Sequence, residues 1–226
     1  MTATIYAFDM VETLLDLSGL DSHFEQTFGD SAVRMSWFQQ VLQLALVSVA
    51  TDEYRDFATI CRAALQMTAE RQGITLSSDQ QDNILQALRQ LSPHPEVPAA
   101  LRRLHQQGLE MVVLTNSSLE AATEVLVHSS LADMFARILS AGQAGQLKPG
   151  RRPYMFTAEQ LGVMPADIML VAAHSWDVAG AMRAGCQAAF VARPGMVLDP
   201  LSPQPSIVGA ELNTVGDMIL SRHSSR

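Results

Sequence analysis

Four short apolar runs, set among long stretches of helical pattern, limit what this chain can fold into more than any other feature. Ile5-Tyr6-Ala7-Phe8, Met111-Val112-Val113-Leu114, Ile168-Met169-Leu170-Val171-Ala172-Ala173 and Ala188-Ala189-Phe190-Val191 have the length and continuity of strands buried on both faces. Helical patterns over 97–107, 119–129, 153–161 and 177–184 fall between the later runs. Such alternation predicts an α/β fold, a doubly wound parallel sheet with helices on both faces. The stretch 19–92 behaves differently. Its apolar residues recur at helical spacing, at Trp37, Val41, Leu44 and Ala45 and again at Cys61, Leu65 and Thr68, and Pro93, Pro95 and Pro98 close it. The predicted organisation is a core of 1–18 plus 93–226 interrupted by a helical cap of 19–92. The apolar run from Val41 to Ala50 reads as a buried helix. The Pro-containing tail from Met196 reads as loop with one helix near 215–220.

The balance of charge narrows the partners. A formal net charge of −8 over 226 residues argues against nucleic acid or an anionic membrane surface. Cys61 and Cys186 are too few for a disulfide framework or a zinc site. There is no basic stretch followed by an apolar core at the N-terminus, so a cytoplasmic setting is expected. The Met residues read as core filler.

In a parallel sheet the residues just past each strand gather in one crevice beyond the strand tips. Here those residues are Asp9; Thr115, Asn116, Ser117 and Ser118; Lys148 in a Gly-rich connection ending at Tyr154; and His174, Ser175, Trp176 and Asp177. A buried Lys needs a counter-ion, and two carboxylates around one ammonium make a stable set. Asp9 is the candidate nucleophile. Val11 provides no second acid beside it, which predicts chemistry without a metal.

The order Asp9, Thr115-Asn116, Lys148-Pro149 and Asp177 resembles the haloacid dehalogenase superfamily over essentially the whole chain, and within it the L-2-haloacid dehalogenase (type II) branch. The resemblance implies a Rossmann-like core with a cap and an ester on Asp9. It implies halide displacement from C2 of a small carboxylic acid, and water then releases a 2-hydroxy acid. It assigns Asp9, Lys148, Asp177, Thr115 and Asn116 to catalysis, with Lys148 holding Asp9 ionised. Thr115 and Asn116 would fix the substrate carboxylate, and Asp177 would pair with Lys148 and help orient the water. Met10, Val11, Trp37, Phe38, Phe57, Tyr154, His174 and Trp176 are assigned to the substrate pocket. No cofactor and no metal ligand are implied, and a homodimer is.

The chain departs from the family pattern at identifiable places. Phe38 follows the cap Trp where the dehalogenases carry a halide-receiving Arg. Val11 and Glu12 stand for an aromatic hydroxyl and a Gly, and Ala172 and His174 for Ser and Asn. The alternatives are opening of azetidine-2-carboxylate, with Glu12 or His174 accommodating an ammonium, a Mg²⁺-dependent phosphatase, and a non-catalytic binding module. The bland readings are helix capping by Asp9 or by one of Thr115, Asn116 and Ser117, packing for His174, and loop bracing for Glu12.

Overall fold

The computed structural model describes residues 4–224; residues 1–3 and 225–226, the extremities of the expected core, lie outside the described residues. Along the chain run β1 (Ile5–Phe8), α1 (Asp21–Phe28), α2 (Val33–Ala50), α3 (Phe57–Arg71), α4 (Ser78–Leu88) and α5 (Val97–Gln106). Then come β2 (Met111–Thr115), α6 (Leu119–His128), β3 (Arg137–Ser140), α7 (Arg151–Leu161) and β4 (Ile168–Ala172). α8 (Ser175–Arg183), β5 (Gln187–Val191), β6 (Ile207–Gly209) and α9 (Leu212–Ser224) complete it.

The strands form one parallel sheet in the order β3-β2-β1-β4-β5-β6. Strand order reverses around β1, which is where open α/β sheets leave a crevice at their carboxyl edge. Phe8 pairs with Val113 on one side and Val171 on the other, so the residues following β1, β2 and β4 leave the sheet side by side.

Alternation along β1 sends Ile5 and Ala7 to one face and Tyr6 and Phe8 to the other. Ile5, Ala7, Val112, Leu114 and Leu170 pack on Tyr154 and Ala158 of α7 and Val178 and Ala181 of α8. Tyr6, Phe8, Met111 and Val113 pack on α5, α6 and α9, and this cluster continues into the helical segment through Phe24, Trp37 and Leu65. Each fully buried Leu or Phe contributes about 1.5–3 kcal/mol.

The helical segment leaves and rejoins the sheet through paired linkers: Asp16 N–H donates to Ser92 O and His94 N–H to Leu14 O. Its helices begin where local chemistry satisfies their first N–H groups. Asp56 caps α3, and Ser77 with Gln80 forms a reciprocal capping box on α4. α2 and α3 pack along their length.

Several expectations need correction. The run from Val41 to Ala50 is not a buried helix. It is helical as expected, but only one side is covered: Val41 and Ala45 are buried, while Gln43, Leu46 and Val47 are exposed. Met35, Met155, Met164 and Met218 are also exposed, so Met is not only core filler. The tail contains β6 as well as α9. β3 and β6 escape the pattern because they are short edge strands, one opened by the exposed Arg137 and the other three residues long. α6 is capped by Ser118, not by Thr115, Asn116 or Ser117. Among the described residues no helix is long and apolar enough to cross a membrane.

Candidate active site

Asp9 leaves β1 at the centre of the sheet edge. Its Oδ1 accepts a hydrogen bond from Lys148 Nζ at 2.8 Å, and its Oδ2 accepts one from Thr13 Oγ1 at 2.8 Å. Lys148 Nζ also donates to Asp177 Oδ2 at 2.6 Å and to the Leu114 carbonyl at 2.8 Å, so all three ammonium protons have a place. Tyr154 Oη donates to Asp177 Oδ1 at 2.6 Å. Asn116 holds the lysine's backbone at both ends: its Oδ1 accepts from Lys148 N–H at 2.8 Å, and its Nδ2 donates to the Lys148 carbonyl at 3.2 Å. The Lys148–Pro149 peptide is cis.

The charges sort themselves by surroundings. Burial alone would raise the Asp9 carboxyl, but Lys148 and then His174 outweigh it and hold the group well below the usual carboxylate range. Burial raises Asp177, the Asp9 charge adds to the rise, and Lys148 only partly opposes it. Burial works against the Lys148 ammonium, yet its two carboxylates keep it above its ordinary value. Of the two acids, Asp9 is the one whose ionised form its surroundings favour more strongly.

The loop after Asp9 is built with care. Thr13 Oγ1 also accepts from the Ala173 N–H at 2.9 Å, tying this loop to the end of β4. Arg193, buried after β5, donates from Nε and Nη2 to the Thr13 carbonyl and pairs with Glu96 at 2.8 Å. Glu12 sits at φ 62, a left-handed backbone that costs a non-glycine residue about 1–2 kcal/mol. Its Oε2 meets His174 Nε2 at 2.9 Å. His174 Nδ1 lies 3.4 Å from Asp9 Oδ2, without hydrogen-bond alignment. Burial opposes the imidazolium, but Asp9 and Glu12 push His174 up to about 9.

A cavity of about 20 Å³ opens over Asp9, lined by Val11, Phe38, Leu42, Phe57, Thr115, Asn116, Ser117, His174 and Trp176. A larger cleft of about 390 Å³ shares Val11, Phe57 and Ser117 with it. The His174 ring lies between Phe38 and Trp176, with centroids 6.1 and 5.0 Å away. Trp176 Nε1 is buried at the cavity with no hydrogen-bond partner among the described residues. No group of three or more His, Cys, Asp and Glu side chains among the described residues is arranged to hold a metal ion.

A family model for haloacid dehalogenase-like hydrolases matches residues 4–185. The chain belongs to this family. It is 30% identical over 217 residues to (S)-2-haloacid dehalogenase H-109 of Pseudomonas putida, covering 94% of this chain and 96% of that protein. It is 27% identical to the (S)-2-haloacid dehalogenase of Pseudomonas sp. strain YL, covering 94% of this chain and 92% of that one. The fold superposes on the L-2-haloacid dehalogenase of Xanthobacter autotrophicus, solved with chloropropionic acid covalently bound. That match has a TM-score of 0.90 at 22% identity and covers 97% of this chain and 99% of that one.

Within this haloacid dehalogenase-like site, the expected residues separate by position. Asp9, Val11, Phe38, Phe57, Thr115, Asn116, His174 and Trp176 reach the cavity. Trp37 does not: it is fully buried behind Phe38, its Nε1 bonded to the Cys61 carbonyl and its ring against Phe24. Met10 lines the larger cleft instead. Tyr154 lies behind Asp177, and Asp177 lies behind Lys148, with both of its oxygens engaged. Asn116 spends its amide on the Lys148 backbone. The residues missed are Thr13, Leu42 and Arg193, while Ser117, expected at the crevice, does line the cavity. Thr13 had a signal in its hydroxyl one helical turn after Asp9, and Leu42 in its spacing of four from Phe38 on α2. Arg193 had none, because its partner Thr13 is 180 positions away.

Proposed function

We propose that this hydrolase displaces halide from C2 of a small (S)-2-haloalkanoic acid through an ester on Asp9, without a metal ion, releasing a 2-hydroxy acid. One observation carries the reading: the Asp9 carboxylate, kept ionised by the buried Lys148, faces a small, largely apolar cavity. A carboxylate is a weak nucleophile in water. Stripped of hydration and held in line with C2, it gains an advantage that can reach about 7–11 kcal/mol. The positive charge between Asp9 and Asp177 is supplied by Lys148 Nζ. The unpartnered Trp176 Nε1 supplies an N–H donor for the departing halide, where Phe38 cannot. The similarity to (S)-2-haloacid dehalogenases over most of the chain supports the same substrate class. An amine leaving group is served less well, because Glu12 is already engaged by His174. A phosphatase would lack an acid at Val11 to protonate its leaving group.

The test is halide release from (S)-2-chloropropionate by the purified protein, with and without chelator. Release is expected to be unaffected by the chelator and to fall at least about 10⁴-fold in Asp9→Asn. Absence of release in the unmodified protein, or its loss on chelation, overturns the proposal.

A further inference from the structure

The displacement step leaves one buried assembly without a full account: the chain of groups Glu12, His174 and Asp9. His174 lines the cavity beside Asp9, and its side chain is 6% exposed. One ring nitrogen, Nε2, is held by Glu12, while the other, Nδ1, lies 3.4 Å from Asp9 Oδ2 and has no hydrogen-bond partner among the described residues. Glu12 itself holds a left-handed backbone, φ 62, in the turn that follows Asp9. The acid expected to help orient water does not reach the cavity. Asp177 has Oδ2 on Lys148 and Oδ1 on Tyr154, is fully buried, and does not line the cavity.

We propose that His174 is the general base that activates water to hydrolyse the Asp9 ester, and that formation of the ester is what arms it. The inference rests on the ester chemistry proposed above. While Asp9 is a carboxylate, its charge next to Nδ1 favours the imidazolium. Attack on C2 forms the O–C2 bond, expels halide and leaves Asp9 neutral. The charged groups then facing His174 are Glu12 on the same loop and, across Asp9, Lys148 with Asp177 behind it. α2 presents the Phe38 ring, and α8 presents the Trp176 ring. Burial now weighs against the imidazolium, whose Nδ1 proton passes out to bulk solvent as the one proton the overall reaction releases, and a neutral water takes the place of the halide. The Nε2–H stays on Glu12, which fixes the tautomer with a lone pair on Nδ1. Nδ1 takes a proton from water as its oxygen adds to the Asp9 carbonyl carbon. On collapse the Cγ–O bond to the substrate breaks, and Nδ1 returns the proton to the departing alkoxide. The resulting Asp9 carboxylic acid gives its proton to Nδ1, restoring the starting ion pair. One haloacid and one water thus yield one hydroxy acid, one halide and one proton.

Two arms test this. In Asp9→Asn, whose amide mimics the uncharged ester, the NMR titration midpoint of the His174 ring is expected to fall by about 1–3 pH units from that of the unmodified protein; an unmoved midpoint overturns the proposal. In rapid mixing with (S)-2-chloropropionate, His174→Gln is expected to release one burst of halide per site and then turn over about 10²–10⁴-fold more slowly, with the esterified Asp9 peptide accumulating in the mass spectrum. His174→Ala gives the same readout if the Gln variant folds poorly. A missing burst, which would place His174 in the displacement step, or slow turnover with no trapped ester, overturns the proposal. If the unmodified protein releases no halide, the dehalogenation reading fails, and the titration arm still decides whether the charge on Asp9 arms His174.

Discussion

The two walls of the cavity are made of different materials. The sheet edge supplies every charge and hydrogen-bonding group at the site: Asp9, Thr115, Asn116, Ser117, His174 and Trp176, with Lys148 and Asp177 behind them. The helical segment supplies only Phe38, Leu42 and Phe57. Parallel strand ends are held by sheet register and do not drift, so they suit groups whose energies depend on tenths of an ångström. Hydrocarbon on helices excludes water and shapes space, and both tasks tolerate looser placement. On the function proposed above, chemistry resides in the rigid wall and selection in the other.

If that division is right, damage to the sheet edge should cost far more than damage to the helical wall. Lys148→Met leaves two buried carboxylates without their counter-ion and is expected to cost about 3–5 kcal/mol in urea unfolding, together with turnover. A loss under about 1 kcal/mol would show that the charge set does not organise the edge. Thr13→Val keeps the shape but removes a donor to Asp9 and the acceptor for the Ala173 N–H. The expected cost is about 1–3 kcal/mol by the same measurement, and an unchanged midpoint would make the loop's tie to β4 dispensable. The smallest effect is expected from Phe57→Ala on the helical wall. A half-buried ring contributes about 1–1.5 kcal/mol, so KM should rise by about tenfold or less, with the first-turnover halide burst retained. Loss of that burst would move chemistry into the helical segment and break the comparison.

Much of the rigid wall was legible along the chain. Asp9, Thr115, Asn116 and His174 each come directly after or at the end of an apolar run, and the end of a strand is set by its local sequence. Lys148 was legible through the order of the motifs around it. Trp37 was misjudged because helical spacing says that a residue is buried and not which neighbour covers it; it packs on Phe24 and Cys61, with Phe38 between it and His174. Asp177 pairs with Lys148 as expected. The contact with water that the resemblance implied is not seen, because Tyr154 takes its other oxygen and it does not line the cavity. β3 and β6 were hidden because short edge strands need little apolar sequence of their own.

The amino-acid order by itself determined the α/β class, the helical insertion and the set of groups brought to one edge of the sheet, because periodicity and strand ends are local properties. Only the tertiary structure decided which of those groups touch. Glu12 meets His174 across 162 positions, and Thr13 meets Ala173 across 160, through the register of β1 against β4. Hydrogen bonds and ion pairs are won or lost over a few tenths of an ångström, and that precision comes from packed strands, not from the neighbours of a residue in the chain.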